Sequence, residues 1–304
     1  MMKIAVIGAG AMGSIYGSHL SLNNEVCMVD TAEAVVEHIS REGICLEEDG
    51  GQNVYRPRAV VSTEGMEPVD LVILFVKSLY SRAAMAANHS LIGPDTYVLT
   101  LQNGSGHEDI LEEFVPRERI IIGTTEDNGA VLGMGHIRRG GVGNTNVGML
   151  TEDREQFLPR LKEAFDCCGF NVRIHDNIRQ LIWDKLFTNV SLSAVTGILQ
   201  VDMGYIADNE HAWNMTERLI REAASVARGL GLRADDQEIL EKVKKTSRMS
   251  PNGCTSIRAD LRDGRRTEVD TISGSVVRAA RKCGVPAPTH EFVVEMVHAM
   301  EGRK

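Results

Sequence analysis

Lys3-Ile-Ala-Val-Ile-Gly-Ala-Gly-Ala-Met-Gly13, a helix-compatible stretch to Leu22, and then Glu25-Val-Cys-Met-Val-Asp30 read as strand, glycine turn, helix, second strand and acid. Glycine at position 8 allows a tight turn, Gly10 lets a backbone approach a pyrophosphate, and Gly13 lets the new helix pack on the sheet. Ala11 and Met12 bring the first N–H groups of that helix toward the phosphates. Asp30 lies 17 residues past Gly13, where a carboxylate can accept from a ribose hydroxyl. A glycine triplet alone is weak evidence, but strand, helix and acid in this order predict a dinucleotide-binding βαβ unit.

The 304 residues suffice for two domains, since single cores stop growing near roughly 250 to 300 residues. No apolar run reaches the roughly 18 residues of a membrane span. The chain enters its first strand without a basic leader or cleavage site, which points to a cytoplasmic protein. A net charge of −9 argues against a nucleic-acid partner. Cys27, Cys45, Cys167, Cys168, Cys254 and Cys283 show no metal-site spacing and read as reduced, mostly buried thiols, and no metal is expected.

Strand-like runs recur at Tyr55–Val61, Leu71–Val76, Tyr97–Leu101 and Ile120–Gly123, with helical stretches such as Ala32–Arg41 and Ser81–Asn88 between several of them. This alternation predicts a doubly wound α/β sheet. Leu71–Val76 is apolar without a break and belongs in its middle. The glycine-rich stretch Gly129–Gly148 reads as a hairpin on the sheet's far edge. A helix over Arg154–Cys168 and a strand over Asn171–Ile174 complete a first domain, residues 1–174. The remainder, 175–304, shows only helical periodicity, and includes helical stretches at Ile178–Gly197, Ala212–Gly231, Gln237–Thr246 and Val269–Gly284. Open α/β sheets bind ligands outside the carboxyl ends of their strands. The loops there carry Lys77-Ser78 and Gln102-Asn103-Gly104.

Ile178–Leu199 is apolar on most sides, with one polar stripe, Lys185, Asn189 and Ser193, at i, i+4 and i+8. A partly buried ammonium needs an anion, and desolvation draws its pKa down toward that of a useful general acid. A lysine so placed can equally snorkel to solvent. The polar segment Thr255–Asp270 offers candidate partners, Ser256 and Glu268, although on pattern alone Glu268 reads as a solvated charge. His107 reads as a helix-start residue.

The glycine fingerprint, Val76-Lys77-Ser78, Gln102-Asn103-Gly104, Trp183-Asp184-Lys185 with Asn189, Ser256, and Arg266-Thr267-Glu268-Val269-Asp270 together resemble the ketopantoate reductase family, over nearly the whole chain and in the family's order. The resemblance implies a Rossmann-type N-terminal domain followed by an all-helical C-terminal domain. It implies NAD(P)H-dependent reduction of a 2-keto acid, with Lys185 as general acid and Glu268 holding it. Asn189 and Ser256 would meet the substrate, Asn103 the nicotinamide ribose, and Lys77 the cofactor side. A homodimer through the helical half is also implied.

Three positions depart from that pattern. Ser193 and Met203 stand where asparagine is common, and Asp30 stands where NADPH-using members commonly carry a basic residue. A carboxylate there repels a 2′-phosphate and favours NADH. Together these departures point toward the related D-2-hydroxyacid, mandelate-type dehydrogenases as an alternative of broader substrate range. A catalytically silent dinucleotide-binding regulator is a third class, against which the presence of both Lys185 and Glu268 weighs.

Overall fold

In chain order the elements are β1 (Lys3–Ile7), α1 (Ala11–Leu20), β2 (Glu25–Val29), α2 (Glu33–Glu42), β3 (Ile44–Glu48), β4 (Gly51–Tyr55), β5 (Arg58–Val60) and β6 (Leu71–Leu74). They continue through α3 (Ser81–Ala87), β7 (Tyr97–Thr100), α4 (Glu108–Leu111), β8 (Ile120–Thr125), β9 (Asn128–Gly133), β10 (His136–Gly141), β11 (Asn144–Met149), α5 (Phe157–Asp166) and β12 (Asn171–Ile174). Helices follow: α6 (Ile178–Thr188), a π turn (Asn189–Ser193), α7 (Ala194–Leu199), α8 (Met203–Asp208), α9 (Glu210–Gly229) and α10 (Asp236–Met249). The last are α11 (Ser256–Arg262), α12 (Ser273–Cys283) and α13 (Pro288–Glu301). The computed structural model describes residues 1–302. They fall into two units, one of Met1–Gln102 with His107–Ile178, the other of Asn103–Gly106 with the chain from Arg179 on.

The first unit is organised by an eight-stranded sheet of order β12-β11-β8-β7-β6-β1-β2-β5. From β5 to β8 every pairing is parallel, and β11 then runs antiparallel to β8. The chain moves outward from β1 through β2 to β5, and then returns to β6 on the other side. This reversal makes the carboxyl ends of β1 and β6 the switch point of a doubly wound sheet. β6 is buried at every position, as its unbroken apolar run requires.

A second sheet, β4-β3-β10-β9, differs from the sequence expectation. The β9–β10 hairpin does form, but it pairs through β10 with β3 rather than extending the main sheet. Only β11, the end of that glycine-rich stretch, joins the main sheet. The expected single strand over Tyr55–Val61 is likewise split between the two sheets, as β4 and β5. Helix α1 therefore packs on the main sheet and against β3, β9 and β10. That double cover explains why Gly13–Ser18 and Leu20 are all buried although α1 has no polar face to speak of.

Where α1 and the two sheets meet lies a buried ionic network. Arg139 donates to Asp127 at 2.6 Å and stands 3.5 Å from Glu48, with the three side chains 4%, 0% and 5% exposed. Glu48 also meets His19 Nε2 at 2.8 Å and accepts from the Tyr55 hydroxyl at 2.9 Å. Tyr16 shares its hydroxyl with Thr125 and Thr145.

The second unit is helical around its own core, which includes Trp183, Leu186, Leu219, Ile220, Val243 and Val276. Its helices α8, α11 and α13 lie outside the four stretches named from the sequence, within the half that reads as helical throughout. The predicted helix over Val269–Gly284 begins only at Ser273, because the residues before it form a compact turn. Among the described residues no helix is long and apolar enough to cross a membrane. The six thiols are free, but only Cys27 and Cys168 are buried; Cys167 and Cys254 are exposed.

Candidate functional site

In the first unit the glycine turn follows β1. The Gly8 N–H donates to the Val29 carbonyl at 2.8 Å, and its φ of +104° is one that favours glycine. A Cβ there would lie 2.8 Å from the Val76 nitrogen, where β1 and β6 diverge. A Cβ on Gly13 would collide with the Gly8 carbonyl. Gly10 differs from both: its φ is −70°, and a Cβ would meet nothing within 4 Å. The protein itself thus requires Gly8 and Gly13, whereas at Gly10 it leaves open space beside the backbone. Gly10 is the N-cap of α1 and supplies no side-chain cap, so Ala11 and Met12, both half-buried, start the helix without one. An open cradle at the start of a ten-residue helix fits a dinucleotide pyrophosphate.

Asp30 follows β2 and is pinned. Its Oδ2 accepts from the Ala9 N–H at 2.7 Å and its Oδ1 from the Ala32 N–H at 3.0 Å. Each oxygen keeps a further lone pair, enough for a ribose hydroxyl. Lys77, half-buried, begins the short 3₁₀ turn after β6. The loop is braced by a residue for which the sequence suggested no role, Gln102. Its buried amide donates to the Val76 carbonyl at 2.5 Å and the Ser81 hydroxyl at 3.0 Å, while its oxygen accepts from Thr100 at 2.9 Å. Gly17, outside the fingerprint, is equally constrained, because a Cβ would strike Met28. His107 is the N-cap residue of α4, consistent with its reading as a helix start.

In the second unit α6 does not continue unbroken to Gly197. Lys185 is half-buried in its last turn, and Asn189, also half-buried, opens a π turn that closes on buried Ser193. Four residues overshoot one α turn and fall short of one π turn, so the second step of the stripe reverses the drift of the first. Ser191 and Thr196 donate back to the carbonyls of Phe187 and Leu192 at 2.6 and 2.7 Å. These bonds satisfy carbonyls where the helical ladder changes register.

Ser256, exposed, is the first residue of α11. The preceding Thr255 shares a 2.7 Å hydroxyl hydrogen bond with Thr196, Arg258 pairs with Asp202, and a Cβ on Gly197 would strike Ile257. Ser256 is thus held next to α7, whose N-cap is Ser193. Glu268, half-buried, lies in the turn before α12, where its carbonyl accepts from the Thr271 and Ile272 N–H groups, both at 3.1 Å. Asn103 is brought to the same turn: the Ser105 N–H donates to the Thr271 carbonyl at 3.0 Å, and Gly104, at φ +101°, has no room for a Cβ against Thr271. Met203 begins α8, with its N–H on the Gly253 carbonyl at 3.1 Å.

Comparison with known proteins adds the following. Residues 4–152 match the family described as ketopantoate reductase PanE/ApbA, and residues 177–301 match the C-terminal part of the same family. The chain is 30% identical over 306 residues to the 2-dehydropantoate 2-reductase of Lactococcus lactis subsp. lactis, covering 99% of this chain and 98% of that one. It is 30% identical over 303 residues, with the same coverage, to the 2-dehydropantoate 2-reductase of Pyrococcus horikoshii. Among solved structures, D-mandelate dehydrogenase with NADH and anilino(oxo)acetate is similar at a TM-score of 0.91 and 33% identity, covering 99% of this chain and 98% of that one.

Proposed function

The chain belongs to the ketopantoate reductase family, and on that premise we propose that it reduces the 2-oxo group of a small keto acid, 2-dehydropantoate foremost, using a nicotinamide dinucleotide. The bound nicotinamide would supply hydride to the carbonyl carbon. Gly8, Gly10, Ala11, Met12 and Gly13 would hold its pyrophosphate, Asp30 its adenosine ribose, and Lys77 and Asn103 the rest of its length. Lys185 is the general acid that donates a proton to the carbonyl oxygen. Before that transfer its ammonium also stabilises the growing alkoxide. Glu268 orients Lys185, Asn189 and Ser193 hydrogen-bond the substrate, and Ser256 binds its carboxylate.

The observation that carries this reading is the lysine's setting. Lys185 is half-buried in the last turn of a helix whose residues Ile182, Trp183, Leu186 and Phe187 are buried, and that helix runs into a π turn opening on Asn189. Such irregular turns recur at functional sites, where they re-aim side chains. Replacing Lys185 by Ala tests it: turnover should fall while dinucleotide binding is retained.

The pinned carboxylate of Asp30 supports NADH over NADPH, because it cannot swing away from a 2′-phosphate without releasing the Ala9 and Ala32 N–H groups. Asp30 with Ser193 and Met203 supports a second reading, an NAD-dependent D-2-hydroxyacid dehydrogenase of the mandelate type. A panel of 2-keto acids assayed with each cofactor separates the two, since a strong preference for 2-dehydropantoate eliminates the second. The family resemblance also carries over a cytoplasmic homodimer, whose assembly light scattering tests.

A further inference from the structure

The turn that bears Glu268 is gripped by the last helix. Glu301, at the end of α13, accepts through Oε1 from both the N–H and the hydroxyl of Thr267, at 2.8 and 2.7 Å. Its Oε2 faces Nδ1 of His298 at 3.0 Å. The other ring nitrogen, Nε2, faces Oδ1 of Asp270 at 3.1 Å. Thr267, Glu301, His298 and Asp270 therefore form a closed circuit that spans Glu268 from the residue before it to the residue two beyond it. Within it the Val269 N–H donates to the Thr267 hydroxyl at 3.2 Å, and Arg278 donates to the Asp270 carbonyl at 2.8 Å.

Both imidazole nitrogens of His298 meet carboxylate oxygens. A neutral imidazole has one N–H and one lone pair, so one of the two contacts would set a lone pair against an anion. Only the imidazolium can donate to both. We propose that His298 and Glu301 are positioning residues for Glu268, and that the side-chain link from Glu301 through His298 to Asp270 is complete only while His298 is protonated. The inference rests on the reading of Glu268 as the partner of Lys185.

The charges that bear on the ring are Asp270 from the turn and Glu301 from its own helix, with Arg278 of α12 held at the Asp270 carbonyl and Glu295 one turn back on α13. Arg281 of α12 pairs with Glu291, and Glu222 of α9 accepts from Thr289 and His290 at the far end of α13; α7 carries no charge. Burial works against the charged ring, but the hydrogen bonds to Glu301 and Asp270 outweigh it and hold His298 above its ordinary value. Burial likewise pushes Glu301 up, yet His298 and Thr267 bring it below its ordinary value. A raised histidine contributes below its unfolded pKa and loses that contribution as pH rises through its folded value. A depressed carboxylate loses its contribution as pH falls. The circuit is complete between those two limits.

The test uses the intact enzyme, with the keto acid of the panel that it turns over fastest and saturating NADH. The His298 ring is titrated by NMR, and kcat is followed against pH in the wild type, His298→Gln and Glu268→Gln. His298 should titrate above about 6.5. Wild-type kcat should fall about two- to fivefold through that same pH, the scale of one partly exposed ion pair. His298→Gln should show the lower kcat without that limb. A ring that titrates at or below the ordinary value overturns the proposal, as does a His298→Gln profile identical to the wild type. Glu268→Gln judges the underlying reading separately: unchanged turnover there removes Glu268 from catalysis, while the NMR titration still decides whether the circuit exists.

Discussion

Ala at position 10 and Ala at position 13 should have opposite consequences, although both replace a glycine of the same fingerprint. At Gly10 the backbone angle suits alanine, and the added methyl meets nothing within 4 Å. Two small effects then oppose each other. The unfolded chain loses freedom, which stabilises by about 0.4–1 kcal/mol, while alanine is a poorer N-cap than glycine by a comparable amount. The net change should stay within about 0.5 kcal/mol, or roughly 2 °C in Tm for a unit of this size. At Gly13 the methyl would lie 3.0 Å from the Gly8 carbonyl carbon and closer still to its oxygen, and both atoms are backbone. No flexible side-chain end can yield, so the cost should reach about 3 kcal/mol or more, roughly 6–12 °C in Tm. NADH titration then separates folding from binding. A methyl where the pyrophosphate approaches should weaken NADH at least about tenfold, or ~1.4 kcal/mol, in the well-folded Gly10→Ala protein. If Gly10→Ala keeps both its Tm and its NADH affinity, the phosphates do not lie against this turn and the cradle is misassigned.

Lys185→Ala should lower kcat by roughly 10² to 10⁴ with little change in NADH affinity, measured by steady-state kinetics and fluorescence titration; wild-type turnover would show that another group donates the proton. Asp30→Arg should raise the ratio of kcat/KM with NADPH to that with NADH by about tenfold or more, and it should also soften the turn, because the Ala9 and Ala32 N–H groups lose their acceptor. An unchanged ratio removes Asp30 from cofactor choice. Arg139→Leu should destabilise by about 3–5 kcal/mol, since it strands the fully buried Asp127, and adding Asp127→Leu should recover part of that loss; additive losses in denaturant melts would contradict this. Acid should weaken the same network. Burial pushes Glu48 up, but His19, Tyr55 and Arg139 outweigh it and hold its carboxyl below the ordinary range. Its contribution is therefore present above the ordinary carboxylate pKa and is lost as pH falls through the depressed value, which Tm measured between neutral pH and about pH 3 would reveal.

Features visible in sequence were those whose cause is local. Gly8 and Gly13 announce a turn because backbone angle and backbone contact admit no side chain there, and the unbroken apolar run from Leu71 announces a strand covered on both faces. The main sheet and the change to an all-helical second half followed from such signals. The second sheet did not. Pairing β3 with β10 joins segments nearly a hundred residues apart, and nothing in the alternation of either strand names its partner. The π turn was equally hidden, because a 3.6-residue period cannot be told from a single wider turn by residue types alone.

Residue chemistry and local spacing determined that this chain carries a dinucleotide-type βαβ unit, a lysine on a greasy helix and an acid late in the chain. Tertiary structure decided how those residues are held. It pins Asp30 to the turn through two backbone N–H groups, braces the Val76 loop with Gln102, and grips the Glu268 turn with His298 and Glu301 from another helix. The reason is physical: periodicity records which face of an element is buried, whereas a hydrogen bond between distant segments depends on positions within a few tenths of an ångström, which only the packed chain specifies.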